Sequence, residues 1–471
     1  MHTVAIVPPP DDSPDAPAGV LTGSEDGFVL RATVRGAGAL AAFSDPAEVG
    51  AHVGGAAVRA IALVPDVPGG GLMLPPGPAE PDAASPPPLS YTLLTVGAKE
   101  VLQAWRVSWE RAGSGSGSHP AAAPNSAAAS GVRGWRLRTS LVAARGSLAK
   151  PGHAEWQSGC GFVAASVETD QRYMDVAGFA PVDGGGAIAL AASSEGAVTA
   201  MALERGESNR NRVEERAVAF KSKSHSKSKS RSRSSWRAFA ALRFHDRPVL
   251  AVAVAGVRVA GGGVAVVAAT GATDGALAIW DVTRATEQRR NASDASEVSR
   301  NQQPQQPLGL RALAPAHVTR GAHQSGVNGI AVRAVAGLTN WFVAASGGDD
   351  QVARAEVFSF EQGLGRVVSV ARVAVAFAHG SAIKGVWLGP GTVPGTLTLA
   401  TTSHDQRARV WTVATQRGRD GDATTGTVAM TPAAGAFAEC PEPEGLDGFV
   451  DARGRARIAV CGRGVQMFEL E

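Results

Sequence analysis

The sequence predicts an all-β protein, a seven-bladed WD-repeat β-propeller that forms one domain over residues 1–471. Two observations carry this prediction. Val264 to Val282 (VAVVAATGATDGALAIWDV) has two β-rich runs around a turn at Thr273 to Gly275 and closes on the Trp-Asp dipeptide typical of a propeller blade. His245 and a further β-rich run precede it, and this order of histidine, strand and hairpin recurs along the chain.

Seven hairpins of this kind are present, a number within the four to eight blades that propellers use. They are Val20 to Val34 with Asp26 in the turn, Tyr91 to Val107 with Lys99 in the place of the acid and Trp105 in the tryptophan position, Ile188 to Leu203 turning at Glu195-Gly196, Val264 to Val282, Phe342 to Phe358 around Asp350, Leu397 to Val413 around Asp405 and Trp411, and Ile458 to Leu470 turning at Gly462 to Gly464.

The hairpins are spaced more widely than the usual repeat of about 40 to 45 residues. The excess falls in low-complexity stretches, which we expect to be disordered insertions between blades. These stretches are 66–90, 113–130, 205–235 and 286–306. A short β-rich segment, Met1 to Pro9, is expected either to pair with the closing blade and join the two ends of the ring, or to extend the first blade.

Four histidines stand before predicted inner strands, namely His52, His245, His323 and His379. In WD-repeat propellers such a histidine bonds to the turn aspartate within a network that includes a strand hydroxyl and the tryptophan nitrogen, and buried polar groups need such partners. Because there is one histidine per blade, we interpret them as structural and predict no metal site.

The most complete predicted network consists of His379, Asp405 and Trp411, with Thr401 or Ser403 as the hydroxyl. His245, Asp274 and Trp280 form the second. The other blades depart from the pattern, for example with Glu356 in the tryptophan position and Lys99 in that of the aspartate. We expect those blades to hold by strand pairing and apolar packing.

Composition argues against several function classes. The formal charge is +3, but Lys221 to Ser235 (KSKSHSKSKSRSRSS) holds six of the Lys and Arg residues, so the rest of the chain is slightly acidic. Three scattered cysteines favour a reduced compartment, and we predict a cytoplasmic protein. The apolar tract Val249 to Thr270 is interrupted by Arg258, which favours buried strands over a membrane span.

Catalytic signatures are absent from the sequence. The glycines at Gly184 to Gly186 and Gly261 to Gly263 lack the spacing and the following helix of a phosphate-binding loop. No acids or histidines recur in equivalent strand positions that would converge in the channel. The sequence therefore predicts neither a catalytic centre nor a cofactor, and an enzyme housed in the channel is disfavoured.

Two candidate binding surfaces remain. Equivalent positions near the start of three inner strands project to one rim of the ring, and two further polar residues flank the Asp405 turn. The rim residues are Arg59, Asn328 and Lys384, and the turn residues are His404 and Arg407. They could contact a partner or RNA. The alternative, which we favour, is that they are ordinary solvated surface side chains.

The Lys/Ser/Arg stretch is the second candidate. Its cations could hold phosphates as a disordered arm with salt-dependent affinity, and its serines could be phosphorylated. The cations are Lys221, Lys223, Lys227, Lys229, Arg231 and Arg233. The alternative is a solubilising insert.

Several motifs resemble a known family. They are LLTVGAKEVLQAWRV (Leu93 to Val107), DQRYMDVAGF (Asp170 to Phe179), AHQSGVNGIAV (Ala322 to Val332), ASGGDDQ (Ala345 to Gln351), and AHGSAIKGVWL followed by SHDQRARVW. Together they resemble the C-terminal propeller of the WD-repeat subunit that partners a tRNA 2′-O-ribose methyltransferase acting on the anticodon loop. Members of that family are usually about twice as long, so this sequence is expected to be either a shortened member or one without its N-terminal part.

The resemblance implies a non-catalytic adaptor that binds the methyltransferase and helps to place the tRNA anticodon loop. Methyl donor and catalytic residues would then belong to the partner, and positioning alone lowers a reaction barrier. The alternative is a general protein-interaction scaffold in trafficking or signalling, without a role in RNA.

Overall fold

The computed structural model describes residues 2–11, 16–35, 42–52, 55–72, 89–111, 135–146, 161–164, 171–182, 184–204, 234–289, 310–361, 366–418, 424–451 and 454–470. These ranges contain 29 strands and one short helix, residues 283–289.

The strands are β1 (Thr3–Val7), β2 (Ala18–Gly23), β3 (Phe28–Arg35), β4 (Ala42–Ala51), β5 (Val58–Pro65), β6 (Ser90–Gly97), β7 (Leu102–Arg111), β8 (Trp135–Gly146), β9 (Gly161–Ala164), β10 (Tyr173–Phe179), β11 (Ile188–Ser193), β12 (Ala197–Glu204), β13 (Ser235–Arg243), β14 (Val249–Arg258), β15 (Val264–Ala272), β16 (Leu277–Asp281), β17 (Arg311–Leu313), β18 (His317–Thr319), β19 (Val327–Ala334), β20 (Trp341–Gly348), β21 (Ala353–Glu361), β22 (Arg366–Val375), β23 (Ile383–Pro390), β24 (Thr396–Ser403), β25 (Arg407–Arg417), β26 (Gly426–Phe437), β27 (Gly445–Val450), β28 (Ala456–Cys461) and β29 (Val465–Leu470).

The strands form seven sheets, which are the seven blades. In blade order the sheets are β1-β2-β3-β4, β5-β6-β7-β8-β9, β10-β11-β12-β13-β17, β14-β15-β16-β18, β19-β20-β21-β22, β23-β24-β25-β26 and β27-β28-β29. The first strand of each blade packs against the first strands of its two neighbours, and β27 packs against β1, so the ring is closed. The predicted seven-bladed WD-repeat β-propeller is confirmed.

All seven predicted hairpins are present as antiparallel pairs, for example β15 with β16 and β24 with β25. The second strand of a blade is buried on both faces, as in β15 and β20, because each sheet lies between two others. In blade 4 the hairpin turns at Gly275, whose φ is 72° and where a Cβ would stand 2.4 Å from the His323 carbonyl oxygen. Only glycine combines that backbone conformation with so close an approach.

The N-terminal segment belongs to the first blade. Strand β1 pairs with β2 from Thr3↔Gly23 to Val7↔Gly19 and is the innermost strand of that sheet. Blades 1 and 7 are joined by packing of Val4, Ile6 and their neighbours against Ala459 and Cys461, and Ile6 N donates to Asp447 Oδ2 at 2.8 Å. Of the two alternatives, extension of the first blade is therefore observed.

The four insertions lie inside blades, so the expectation that they fall between blades is wrong. They separate β5 from β6, β7 from β8, β12 from β13, and β16 from β18, which are strands of the same sheet in each case. The predicted hairpins remain uninterrupted, because each insertion avoids the β-turn between the second and third strands. Most of these residues lie outside the described ranges.

Part of the first insertion is packed. Asp66 to Leu72 leaves β5 and crosses the end of blade 3, where Ala180 N donates to Gly70 O at 2.7 Å. Leu72 is fully buried in the apolar cluster between blades 3 and 4, and Gly256 N donates to its carbonyl at 2.7 Å. The segment therefore ties the end of blade 2 to blades 3 and 4.

Candidate functional site

The two networks predicted as most complete have the expected partners. In blade 4, His245 Nδ1 lies 2.9 Å from Asp274 Oδ2 and Nε2 lies 2.9 Å from Thr270 Oγ1, which also accepts the Trp280 Nε1 proton at 3.0 Å. The histidine is thereby fixed to the hairpin at both nitrogens, and the loop before the inner strand is fixed with it.

Blade 6 repeats this arrangement. His379 Nδ1 is 3.1 Å from both carboxylate oxygens of Asp405, and its Nε2 is 2.9 Å from Thr401 Oγ1. Trp411 Nε1 donates to the same hydroxyl at 3.1 Å. Of the two candidate hydroxyls, Thr401 is the one in the network, since Ser403 Oγ donates instead to the Ser381 carbonyl.

Blade 5 lacks the tryptophan and uses a different arrangement. His323 contacts Asp350 and Ser346 at 2.9 Å each. Glu356, which occupies the tryptophan position, is 1% exposed and accepts hydrogen bonds from Thr319, Arg354 and Ser369. Thr319 belongs to blade 4, so a buried polar cluster joins two blades. The expectation that this blade holds by strand pairing and apolar packing alone is wrong.

Blade 2 retains a reduced network. His52 Nε2 lies 2.8 Å from Thr95 Oγ1, which accepts the Trp105 Nε1 proton at 3.1 Å, while Lys99 replaces the acid. Lys99 and Glu100 both have positive φ, 56° and 52°, so the turn also differs in backbone conformation from those with aspartate. The histidine–threonine–tryptophan contacts therefore form without the carboxylate.

The ionisation of these groups follows from burial and partner. Burial lowers the pKa of His52 to about 3. Burial also lowers the pKa of His379, although the neighbouring Asp405 acts in the opposite direction. For Asp405, burial alone would raise the pKa, but the Gly380 amide and His379 outweigh it and the pKa is lowered. A neutral His379 facing an ionised Asp405 fits a structural role.

The predicted rim residues lie at the mouth of the axial channel. A cavity of about 940 Å³ runs along the inner strands, and Arg59, Asn328 and Lys384 all line it. Each is the residue at which the register of its inner strand shifts, and Met174 and Leu250 occupy the equivalent places in blades 3 and 4. A β-bulge in five blades thus turns one residue per blade toward the channel.

The charges at the mouth are paired, and the acids are the more exposed partners. Arg59 lies 3.4 Å from Glu25, with side chains 31% and 66% exposed. Lys384 lies 3.6 Å from Asp349, with 23% and 45% exposed, and Asn328 donates to the same carboxylate at 2.6 Å. The carboxylates that pair with the mouth cations are therefore more exposed to solvent than the cations themselves.

Two acids lie deeper in the channel wall. Asp175 Oδ2 accepts the Val252 amide proton of the next blade at 2.8 Å, and Asp447 makes the equivalent bond to Ile6. Burial raises the pKa of each to about 6. The expectation that no acids recur in equivalent inner-strand positions is therefore wrong for these two aspartates, which both line the cavity. An aspartate in an otherwise apolar inner strand is a signal that could have identified them.

The remaining predicted residues lie elsewhere. His404 Nε2 is 3.1 Å from Glu444 Oε1, a contact between blades 6 and 7, and Arg407 is exposed at the start of β25. Neither lines the cavity. The predicted phosphate-contacting cations of 221–233 lie outside the described residues. Within the described ranges, no cluster of His, Cys, Asp and Glu could hold a metal ion, and no helix is long and apolar enough to cross a membrane.

The sheet order and the four histidine corners define the class of this protein as a WD-repeat propeller. No protein-family model matches the chain, and no curated protein matches it. Among solved structures the chain is similar to Chaetomium thermophilum Sqt1 in its crystal structure bound to the N-terminus of the ribosomal protein L10. The two share 13% identity over 100% of this chain and 97% of that chain, with a TM-score of 0.41. The seven-blade assignment depends on this chain's own sheet order.

Proposed function

We propose that this protein is a non-catalytic adaptor that binds a partner protein at the mouth of its channel. The observation that carries the proposal is the convergence of equivalent bulged residues from separate blades on one cavity. Because these side chains come from strands fixed in a closed ring, they form a surface that is organised before the partner binds, which reduces the entropy cost of binding.

The partner that the motifs favour is the catalytic subunit of a tRNA 2′-O-ribose methyltransferase, in the cytoplasm. The adaptor would hold the anticodon loop of the tRNA in place, and the enzyme subunit would supply the chemistry. The exposed carboxylates paired with Arg59 and Lys384 make the mouth better suited to a protein than to phosphates, because acids repel the nucleic acid backbone. Contact with tRNA is assigned to the cationic arm of 221–233.

A general interaction scaffold in trafficking or signalling is the second candidate, and the exposed acids at the mouth are equally compatible with it. Co-expression with candidate tRNA methyltransferases followed by size-exclusion chromatography separates the two. We expect one complex with a methyltransferase subunit that survives the column. Reproducible separate elution from every candidate would favour the general scaffold.

Variants at the mouth test its role in that complex. Glu25→Arg combined with Asp349→Arg reverses the exposed charges and should abolish co-elution, whereas Glu48→Arg, an exposed change on outer strand β4, should leave it intact. Co-elution of the double variant would show that the partner binds elsewhere. In cells lacking the protein, a chain without 221–235 that restores full 2′-O-methylation at the anticodon loop would refute the phosphate-contacting arm but not the adaptor.

A further inference from the structure

A second interaction surface lies on the outer edge of blade 6, away from the channel. It consists of Arg407 and Arg409 on β25, Gly435 and Phe437 on β26, and Phe377 in the loop before blade 6, and we call it the blade 6 edge. We propose that the blade 6 edge binds an extended acidic segment of a partner protein, which adds to β26 as a further strand.

The backbone of β26 offers the hydrogen-bonding groups for such a strand. β26 is the last strand of its sheet among the described residues. Ala438 N donates to Gln406 O, and the register pairs Ala436 with Ala408 and Phe437 with Arg407. Because residues along an antiparallel strand alternate between the two sides, the N–H and C=O groups of Gly435 and Phe437 point away from β25.

The side chains of β26 leave this edge unprotected. From Gly426 to Phe437 the strand contains no charged residue, and Thr431 to Gly435 are all exposed. Edge strands that are protected against pairing with another chain are usually short, or contain lysine or an inward-pointing charged residue. β22, the outer strand of blade 5, carries two arginines by comparison. Pro432 lies near the N-terminal end of this exposed stretch and has no N–H to donate. The backbone available for pairing with an added strand is therefore at its C-terminal end, around Gly435.

Two arginines beside this edge favour a negatively charged partner segment. Arg407 and Arg409 lie on the face of β25 shared with Phe437 and Gly435, and the Arg409 Cγ lies 3.9 Å from where a Gly435 Cβ would stand. Neither forms an ion pair with a carboxylate among the described residues. Acidic side chains on alternate positions of an added strand would face both guanidinium groups.

An exposed aromatic residue completes the surface. Phe377 is 82% exposed and has φ of 53°, a conformation that disfavours large side chains, and Phe437 is 56% exposed. Phe377 follows β22, and β22 packs against β26, so both rings lie at the same end of neighbouring outer strands. A strained, solvent-exposed aromatic contributes little to folding and is typical of an anchor for a partner.

Peptide display tests the proposal directly. A library of random peptides of about ten residues is selected on the full chain alone, and the enriched peptides are then measured on the Arg407→Glu, Arg409→Glu variant. We expect peptides rich in Asp or Glu alternating with β-branched residues, at least tenfold weaker on the double variant and unchanged on Arg366→Glu, an exposed arginine at the far end of β22. Enrichment without acidic residues, or equal binding to the double variant, would overturn the proposal.

Two further measurements separate strand addition from simple charge attraction. Hydrogen exchange should slow at the amides of Gly435 and Phe437 when a selected peptide binds, and unchanged exchange there would exclude strand addition. Phe377→Gly should raise the melting temperature, because glycine relieves the left-handed backbone, while weakening the peptide several-fold. Peptide binding should be unchanged by Glu25→Arg, because Glu25 pairs with Arg59 of the channel mouth. The test of the blade 6 edge is therefore independent of the test of the adaptor proposal.

Discussion

Blades 5 and 6 begin with the same corner and complete it differently. Each has a histidine bonded to an aspartate and to a hydroxyl four residues before that aspartate. Ten residues after the hydroxyl, blade 6 has Trp411, which donates back into its own corner, whereas blade 5 has Glu356, which binds Thr319 of blade 4. The residue at this position can therefore stabilise its own blade or join that blade to its neighbour.

The largest expected effect is at Glu356. Glu356→Ala removes the acceptor for Thr319, Arg354 and Ser369 and leaves the Arg354 guanidinium in a buried site without its carboxylate. Removing one partner of a buried ion pair costs about 3–5 kcal/mol. We therefore expect a decrease of that size in the free energy of unfolding, measured with denaturant. Glu48→Ala, on an exposed strand, is the control and should change it by under about 0.5 kcal/mol. A loss at Glu356 no larger than the control's would show that the cluster is not what joins the blades.

The next effect compares the two hydroxyls. Thr401→Val leaves both the His379 and Trp411 nitrogens without their partner, whereas Ser346→Ala leaves only the His323 nitrogen. At about 1–3 kcal/mol for each unsatisfied buried group, the blade 6 variant should lose roughly twice as much stability as the blade 5 variant in chemical denaturation. Equal losses would mean that the tryptophan bond adds nothing to the corner.

The last effect is absent at neutral pH and concerns the corner without an acid. The folded-state pKa of His52 is about 3, below the ordinary value of 6.5, so the unfolded chain binds the proton first. His52 therefore contributes its full share of stability above pH 6.5 and loses it progressively as the pH falls toward 3. NMR titration of the ring protons should show His52 still neutral at pH 4.5, provided that the protein remains folded. Protonation of His52 near pH 6.5 in the folded protein would show that burial does not lower its pKa.

Local sequence was enough to predict the hairpins and the histidine corners, because a turn, a hydroxyl and a tryptophan at fixed spacing belong to one continuous segment. The same spacing could have selected Thr401 over Ser403, since Thr270 stands at the same distance from Trp280. Contacts between blades could not be predicted in this way. The pairing of Lys384 with Asp349, the bond from Thr319 to Glu356 and the burial of Leu72 depend on how separate blades meet around the ring.

The joint between blades 1 and 7 has a mechanical consequence. The strands of blade 1 and the strands of blade 7 form separate sheets, and no strand of one blade is hydrogen-bonded into the sheet of the other. Separating the two blades there would break side-chain packing and the bond from Ile6 to Asp447, but no sheet and no peptide bond. Under force or heat, the circle should part first at this position, and the thiol of Cys461, fully buried in the joint, would become accessible to alkylating reagents before the blades themselves unfold.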